Sequence, residues 1–454
     1  MIATAGSQVI PGLGSMYYPL QVRCLLERDA LGYNDMPLVF WIEALATKLI
    51  IFTGLLPLNN AIVLACRLVN AVIPSLIVIP VFYLARSIFS NTVKPAYLVV
   101  VLALSVLNPA VLVIFAVDFD KNAISMLFVY MTLYYLWQFI NRKTVAPAII
   151  TAVSILLTLL THFGCFSALF AFLLIFALIL GLSNAGSLIR WFSGSRIRVV
   201  FLVIVLAALL MLPVIVKYYD MKRFLHLTSY LASPLQLFDH SFFLLMLKGE
   251  FIYDWPNMLF LIVINSFSIL SVIAWFRLRK HLTREEAAFF LSLVLWFVFL
   301  SNPFINTAIY NRLLFISLVP LSVVIIFVFK YFRKLVKRTI AIILTLLLIL
   351  TVVTGGIRKT YISLEEYNEL LTVREIIPKP DSTIVLAQHR LEFWISWTLR
   401  MKSGQLTGIR PHEYSKYAHV LYIAQKSNVR FQEEIPGKAV IIRSGRYFDL
   451  YRIK

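Results

Sequence analysis

Apolar runs of roughly 20 residues, the length that crosses bilayer hydrocarbon as a helix, recur along this chain and constrain its fold more than any motif does. They fall at about 60–85, 95–117, 122–140, 146–162, 165–183, 199–217, 256–276, 286–302, 311–329 and 337–356. Composition agrees: of 454 residues, 60% are hydrophobic and only 14% charged, and the mean hydropathy is +0.85. Soluble domains carry about 25% charged residues. Soluble folds are therefore excluded, and the expected class is an α-helical polytopic membrane protein.

The charges lie between the runs in an alternating pattern. One set of connections carries Arg86 and Lys94; Arg142 and Lys143; Arg190, Arg196 and Arg198; Arg277, Arg279, Lys280 and Arg284; and Lys330, Arg333, Lys334, Lys337 and Arg338. Every second connection belongs to it, which places that set in the cytoplasm. The net charge of +20 is then cytoplasmic anchoring, and no nucleic-acid partner is expected. The other connections face outward: Asp118–Lys121, the turn at His162, the loop 218–255 and the segment 303–310. By the same count the tail after Gly356 is outside. It reads as a small α/β domain, with strands at Thr383–Gln388 and Val420–Ala424, a helix at Leu391–Met401, and a hairpin formed by Val440–Arg443 and Tyr447–Arg452. The expected organisation is an outer segment 1–59, a membrane domain 60–356 and an extracytoplasmic domain 357–454. The apolar stretch 37–57, interrupted by Glu43 and Lys48, has two readings. If it lies along the membrane surface, the start is outside and a transmembrane helix is expected upstream. If it crosses, the start is inside with Arg23 and Arg28.

Ionisable groups at a membrane edge cost free energy and call for a reason. Asp118, Asp120 and Lys121 share one short outward loop, where carboxylates can act as a base or hold a metal while an ammonium faces phosphate oxygens. The same residues also make an ordinary solvated turn. Asp35, before Met36-Pro37, reads first as ordinary helix-start chemistry, a capping side chain followed by a proline tolerated in the first turn. His162 can be a metal ligand or proton carrier, or a polar residue satisfied at the interface. Arg312 opens a span on the side where arginine is disfavoured, which suits an anionic partner or snorkelling towards headgroups. Cys24, Cys66 and Cys165 are scattered, and no phosphate loop, paired CxxC or nucleophile elbow occurs.

Tyr17-Tyr18, Arg23-Cys24-Leu25-Leu26-Glu27 and Tyr33-Asn34-Asp35-Met36-Pro37-Leu38-Val39-Phe40-Trp41, followed by Tyr83-Leu84-Ala85-Arg86, resemble the first outer loop and first span end of the GT-C membrane glycosyltransferases. Within these, the branch of protein O-mannosyltransferases and aminoarabinose transferases is similar. The resemblance implies a GT-C-like fold of about ten transmembrane helices with surface helices and an outer α/β domain. It implies sugar transfer from a polyprenyl-phosphate carrier to a lipid, glycan or protein acceptor at the outer face of the cytoplasmic membrane. Membrane lipids would be the other partners. Asp118 or Asp120 would be the second-loop acid, with Asp35 the other catalytic candidate. Lys121, Arg312, Tyr17 and Tyr18 would face the substrate phosphate, helped by basic groups or a divalent metal at His162, with no other cofactor. One departure stands out: the family's acid before the paired tyrosines is replaced by Gly12-Leu13-Gly14-Ser15-Met16. A lipid-linked oligosaccharide flippase and a non-catalytic carrier-binding relative are the rival readings.

Overall fold

The computed structural model describes residues 16–89, 93–107, 120–182, 238, 241–248, 255–354, 361–377, 380–405, 416–427 and 439–453. Among the described residues two short helices come first, α1 (Tyr17–Arg28) and α2 (Leu38–Phe52). At 15 residues α2 reaches about 22 Å, short of the roughly 30 Å of hydrocarbon. It buries Val39, Phe40, Glu43, Ala44 and Thr47, spaced for one helix face, while Trp41, Leu45, Leu49 and Phe52 are exposed. A helix with an inner face in the protein and an outer apolar face has the character of one lying in the membrane interface. It ends in a turn where Gly54 takes a φ of +71°, a conformation glycine adopts at little cost.

The helices of the apolar part follow: α3 (Leu58–Ser75), α4 (Val78–Phe89), α5 (Pro95–Val106), α6 (Asp120–Arg142), α7 (Val145–Thr161), α8 (Phe163–Leu182), α10 (Trp255–Leu278), α11 (Arg284–Leu300), α12 (Thr307–Tyr331) and α13 (Lys334–Thr354), with a six-residue α9 (Phe242–Leu247) before α10. Five helical stretches among the described residues are long and apolar enough to cross a bilayer, and the chain is a multi-pass membrane protein. Most ends fall within a few residues of the sequence expectation. The first span is longer than expected, Leu58–Phe89, and α3 gives way to α4 just after Pro74. A proline lacks the N–H that would continue the helix and clashes with the preceding turn. The expected span 199–217 lies outside the described residues.

α6 and α12 are the innermost of the candidate spans. Their polar groups are paired inside the bundle: Tyr130 Oη lies 2.8 Å from Ser322 Oγ, and Trp137 Nε1 donates to Ser87 Oγ at 3.1 Å. Buried hydroxyls such as Thr158 donate to the carbonyl four residues back, which satisfies them where water is absent.

The terminal domain contains α14 (Leu364–Val373), α15 (Leu391–Leu399) and strands β1 (Thr383–Ala387), β2 (Lys402–Gln405), β3 (His419–Gln425), β4 (Val440–Ser444) and β5 (Phe448–Arg452). The sheet order is β2-β1-β3-β5-β4. β1 runs parallel to both β2 and β3, in a register that sets Leu386 beside Tyr422; β5 pairs antiparallel with β3 and β4. β1 is buried throughout, as expected of a strand covered on both faces.

One buried cation fastens this domain to α1. Arg23 is 5% exposed, and its two terminal nitrogens donate to the carbonyls of Ser396 at 2.7 Å and Trp397 at 2.9 Å. These belong to the last turn of α15, whose final carbonyls have no partner within the helix and carry its negative pole. The guanidinium also stacks 4.6 Å from the Trp397 ring centroid, and Tyr17 packs on Phe393 with centroids 5.0 Å apart. The domain and the first-loop residues therefore share one end of the bundle. Arg23→Met should cost about 2 kcal/mol, the scale of hydrogen bonds from a charged donor. Thermal unfolding should show the loss, with Arg23→Lys intermediate; equal stability of both variants to the parent would remove this role.

Candidate active site

The first-loop and second-loop candidates meet at the start of α6. Asp35 is carried by the loop between α1 and α2, and Lys121 by the first turn of α6. The two form a buried ion pair through Asp35 Oδ2. Tyr17 donates its hydroxyl to the same oxygen, and the Met36 amide donates to Oδ1 at 2.8 Å. The Lys121 ammonium lies 5.6 Å from the Tyr17 ring centroid and 5.8 Å from that of Phe40, within cation–π range. The Lys121 amide, one of the N–H groups left over at a helix start, donates to the Tyr18 hydroxyl at 3.2 Å.

Gln21 fixes the loop to α1. Its Nε2 donates to Tyr17 Oη at 3.1 Å and to the Tyr33 carbonyl at 2.8 Å, while its Oε1 accepts from the Tyr33 amide at 3.0 Å. The loop runs so close over α1 that a Cβ on Gly32 would come within 2.9 Å of Cys24 Sγ.

Burial pushes the Asp35 carboxyl up, but the Lys121 charge and the bonds from Lys121, Tyr17 and Met36 outweigh it. The group is held below its ordinary value and is ionised. Burial, reinforced by Asp120, pushes the Tyr18 phenol well above its ordinary value.

Asp120 is buried and accepts from Asn70 Nδ2 at 2.6 Å. Near it lies a carboxyl that sequence reasoning treated only as an interruption. Glu43 is 0% exposed, and neither of its oxygens meets a hydrogen-bond donor of good geometry, although the Cys66 thiol is beside it. Burial and then the Asp120 charge raise its carboxyl well above the ordinary range, which favours its protonated form. The available signal was its spacing: with Val39 and Thr47 it forms an i, i+4, i+8 row facing inward.

His162 sits between α7 and α8. Its Nδ1 accepts from the Cys165 amide at 3.1 Å, which leaves the hydrogen on Nε2 when the ring is neutral. A Cβ on Gly164 would come within 2.9 Å of this ring. His162 is in electrostatic reach of Lys121, Asp35 and Arg312. Arg312 is exposed near the start of α12. Thus Asp35, Asp120, Lys121, Tyr17 and Tyr18 are in one cluster, with His162 and Arg312 in its vicinity. Asp118 lies outside the described residues. Among the described residues no three His, Cys, Asp or Glu side chains gather as a metal site, and His162 has already committed Nδ1. This set does not by itself fit a metal ion.

No protein-family profile matches the chain, and no curated protein matches it. Solved structures do. The oligosaccharyltransferase of Archaeoglobus fulgidus, in complex with Zn and sulfate, is 13% identical and superposes with a TM-score of 0.56 over 92% of this chain. The chain spans only 64% of that protein's length. ArnT from Cupriavidus metallidurans, bound to undecaprenyl phosphate, is 12% identical with a TM-score of 0.51 over 98% of this chain and 94% of its own. The chain has the fold of the GT-C membrane glycosyltransferases.

Two outcomes test the electrostatics. Lys121→Met strands a buried carboxylate and should destabilise the protein by about 3–5 kcal/mol. Adding Asp35→Asn should recover much of that loss, and a double variant no more stable than the single one would contradict the pairing. For Glu43 the sign runs the other way. Its proton is held more tightly in the folded chain, so its carboxyl opposes folding increasingly as pH rises above about 4.3. Glu43→Gln should increase the unfolding free energy more at pH 8 than at pH 5, by on the order of 1–3 kcal/mol at the higher pH. An equal change at both pH values would mean that Glu43 does not titrate this way.

Proposed function

We propose that the chain transfers a sugar from a polyprenyl-phosphate donor to an acceptor at the outer face of a cytoplasmic membrane. The observation that carries this reading is the setting of Lys121. An ammonium has three N–H donors. Asp35 engages Lys121 from one side while the Tyr17 and Phe40 rings flank it. Donors remain for the oxygens of a leaving phosphate, and the aromatic walls keep water from competing for them. The ArnT neighbour's bound undecaprenyl phosphate supports a donor of this class. The alternation of basic connections supports the outward sidedness.

In this reaction the acceptor hydroxyl attacks the anomeric carbon, the bond from that carbon to the phosphate oxygen breaks, and the hydroxyl proton passes to a carboxylate. Asp35 is held ionised by Lys121 and Tyr17, which makes it a weak proton acceptor and suits it to orienting Lys121. The proton goes to Asp120 or Asp118 in the second loop. Lys121, with Arg312 nearby, compensates the charge that grows on the departing phosphate. Tyr17 and Tyr18 hold Asp35 and the α6 start in place. Among the described residues no three His, Cys, Asp or Glu side chains gather as a metal site, and the charge compensation proposed here rests on Lys121 and Arg312.

The absence of an acid in Gly12–Met16 favours one alternative, a relative that binds the lipid carrier without turning it over. A synthetic polyprenyl-phosphate sugar presented to the purified protein in liposomes separates the two. Asp118→Asn with Asp120→Asn should lower the transfer rate at least a hundredfold, with donor binding retained. An unchanged rate would reject the second-loop assignment. Carrier binding with no turnover by the parent protein would favour the non-catalytic reading.

A further inference from the structure

A cavity of about 350 Å³ lies on the other side of Tyr33, between α1, the loop after it and the terminal domain. That volume is in the range of small-molecule pockets, roughly 300–1,000 Å³. Its charge is one-sided. Arg23, Arg28, Arg400, Lys402 and Lys416 line it, against a single carboxylate, Glu27. Arg23 spends its terminal nitrogens on carbonyls, and Glu27 is the carboxylate in electrostatic reach of it. Arg28, Arg400, Lys402 and Lys416 are exposed, and none of them is in a salt bridge among the described residues. Like charges gathered in a concave site repel one another and focus a positive potential.

Two further features point to a ligand. Arg400 ends α15 in the left-handed region, at φ 55° and ψ 38°, where glycine would be the less strained residue. An arginine kept at a glycine position beside a cavity is the kind of local conflict expected at a functional site. The walls also include Tyr33 and Tyr417 with the hydroxyls of Ser396 and Ser403, and the Tyr33 hydroxyl lies 3.4 Å from Ser403. The two serine hydroxyls donate to the Met401 and Glu392 carbonyls, so it is the aromatic faces that suit a sugar ring, while the cations suit its acidic group.

We propose that this cavity binds a saccharide bearing a phosphate or carboxylate group. On the transferase reading, on which this point rests, it is an acceptor-docking site. Its distance from the chemistry is one side chain. Tyr33 packs against Tyr17 with ring centroids 6.3 Å apart, and Gln21 bridges the Tyr33 backbone to the Tyr17 hydroxyl that holds Asp35. A ligand seated against Tyr33 would therefore bear directly on the loop that positions the carboxylate.

Calorimetric titration of the purified full chain in detergent tests this without requiring turnover. Glucose 1-phosphate and glucuronate should each bind with one-to-one stoichiometry, at least tenfold more tightly than glucose. Arg400→Gly combined with Lys402→Gln should weaken them at least tenfold, while the melting temperature stays equal or rises because glycine suits the left-handed position. Equal binding of glucose, or undiminished binding by the double variant, would overturn the proposal. So would loss of glucose 1-phosphate binding in nanodiscs of phosphatidylglycerol but not phosphatidylcholine, which would give the pocket to a lipid headgroup. Sugar transfer that fails while these ligands still bind would count against the transferase reading and leave the pocket standing.

Discussion

The site depends on a charge pair that is expensive to hold at the end of an apolar bundle. Removing an ammonium and a carboxylate from water costs several kcal/mol for each ion, and only close pairing with further hydrogen bonds recovers it. Asp35 and Lys121 meet that condition through Tyr17, the Met36 amide and two aromatic rings. The requirement reaches outward. Tyr17 must be placed by α1, α1 is held by Gln21 on the loop side, and Arg23 ties the same helix to α15. A terminal domain some 370 residues further along thereby becomes part of the support for a first-loop carboxylate.

The membrane part of the fold was legible because hydrocarbon imposes it. Helices that must satisfy every backbone group internally leave long apolar runs, and Arg284–Leu300 and Lys334–Thr354 begin and end close to where those runs do. What was not legible follows from weaker signals. β2 is Lys402-Ser403-Gly404-Gln405, with no apolar alternation, and exists because β1 offers it an edge. α14 escaped notice although Ser363 and Glu366 make a capping box, a signal that sequence inspection can read. The break after Pro74 was hidden because hydropathy does not fall there.

At the site, sequence could nominate residues but not join them. Asp35 and Lys121 stood in separate motifs 86 positions apart, and nothing in either spacing says that they pair. Glu43 shows the limit most clearly. Whether a carboxyl on an apolar helix faces lipid, water or protein depends on how that helix is rotated, and rotation is decided by α1 and α3 packing against it. Its burial against Cys66 and Asp120 is a tertiary fact.

The position of Lys121 is itself unfavourable by local rules. A cation in the first turn of a helix meets the positive pole of the macrodipole, where an anion would be stabilised. Asp120 obeys that rule and Lys121 breaks it, in adjacent residues of the same turn. Asp35 offsets the conflict in the resting protein. With the Glu43 carboxyl shifted towards its protonated form, the local balance leans on Asp35, Asp120 and Lys121. On the proposed function, a phosphate reaching this turn would meet an ammonium at a helix start, and helix N-termini are receptive to anions. On that same proposal, the residue that local stability would exclude from this turn is the one that a departing phosphate would use there.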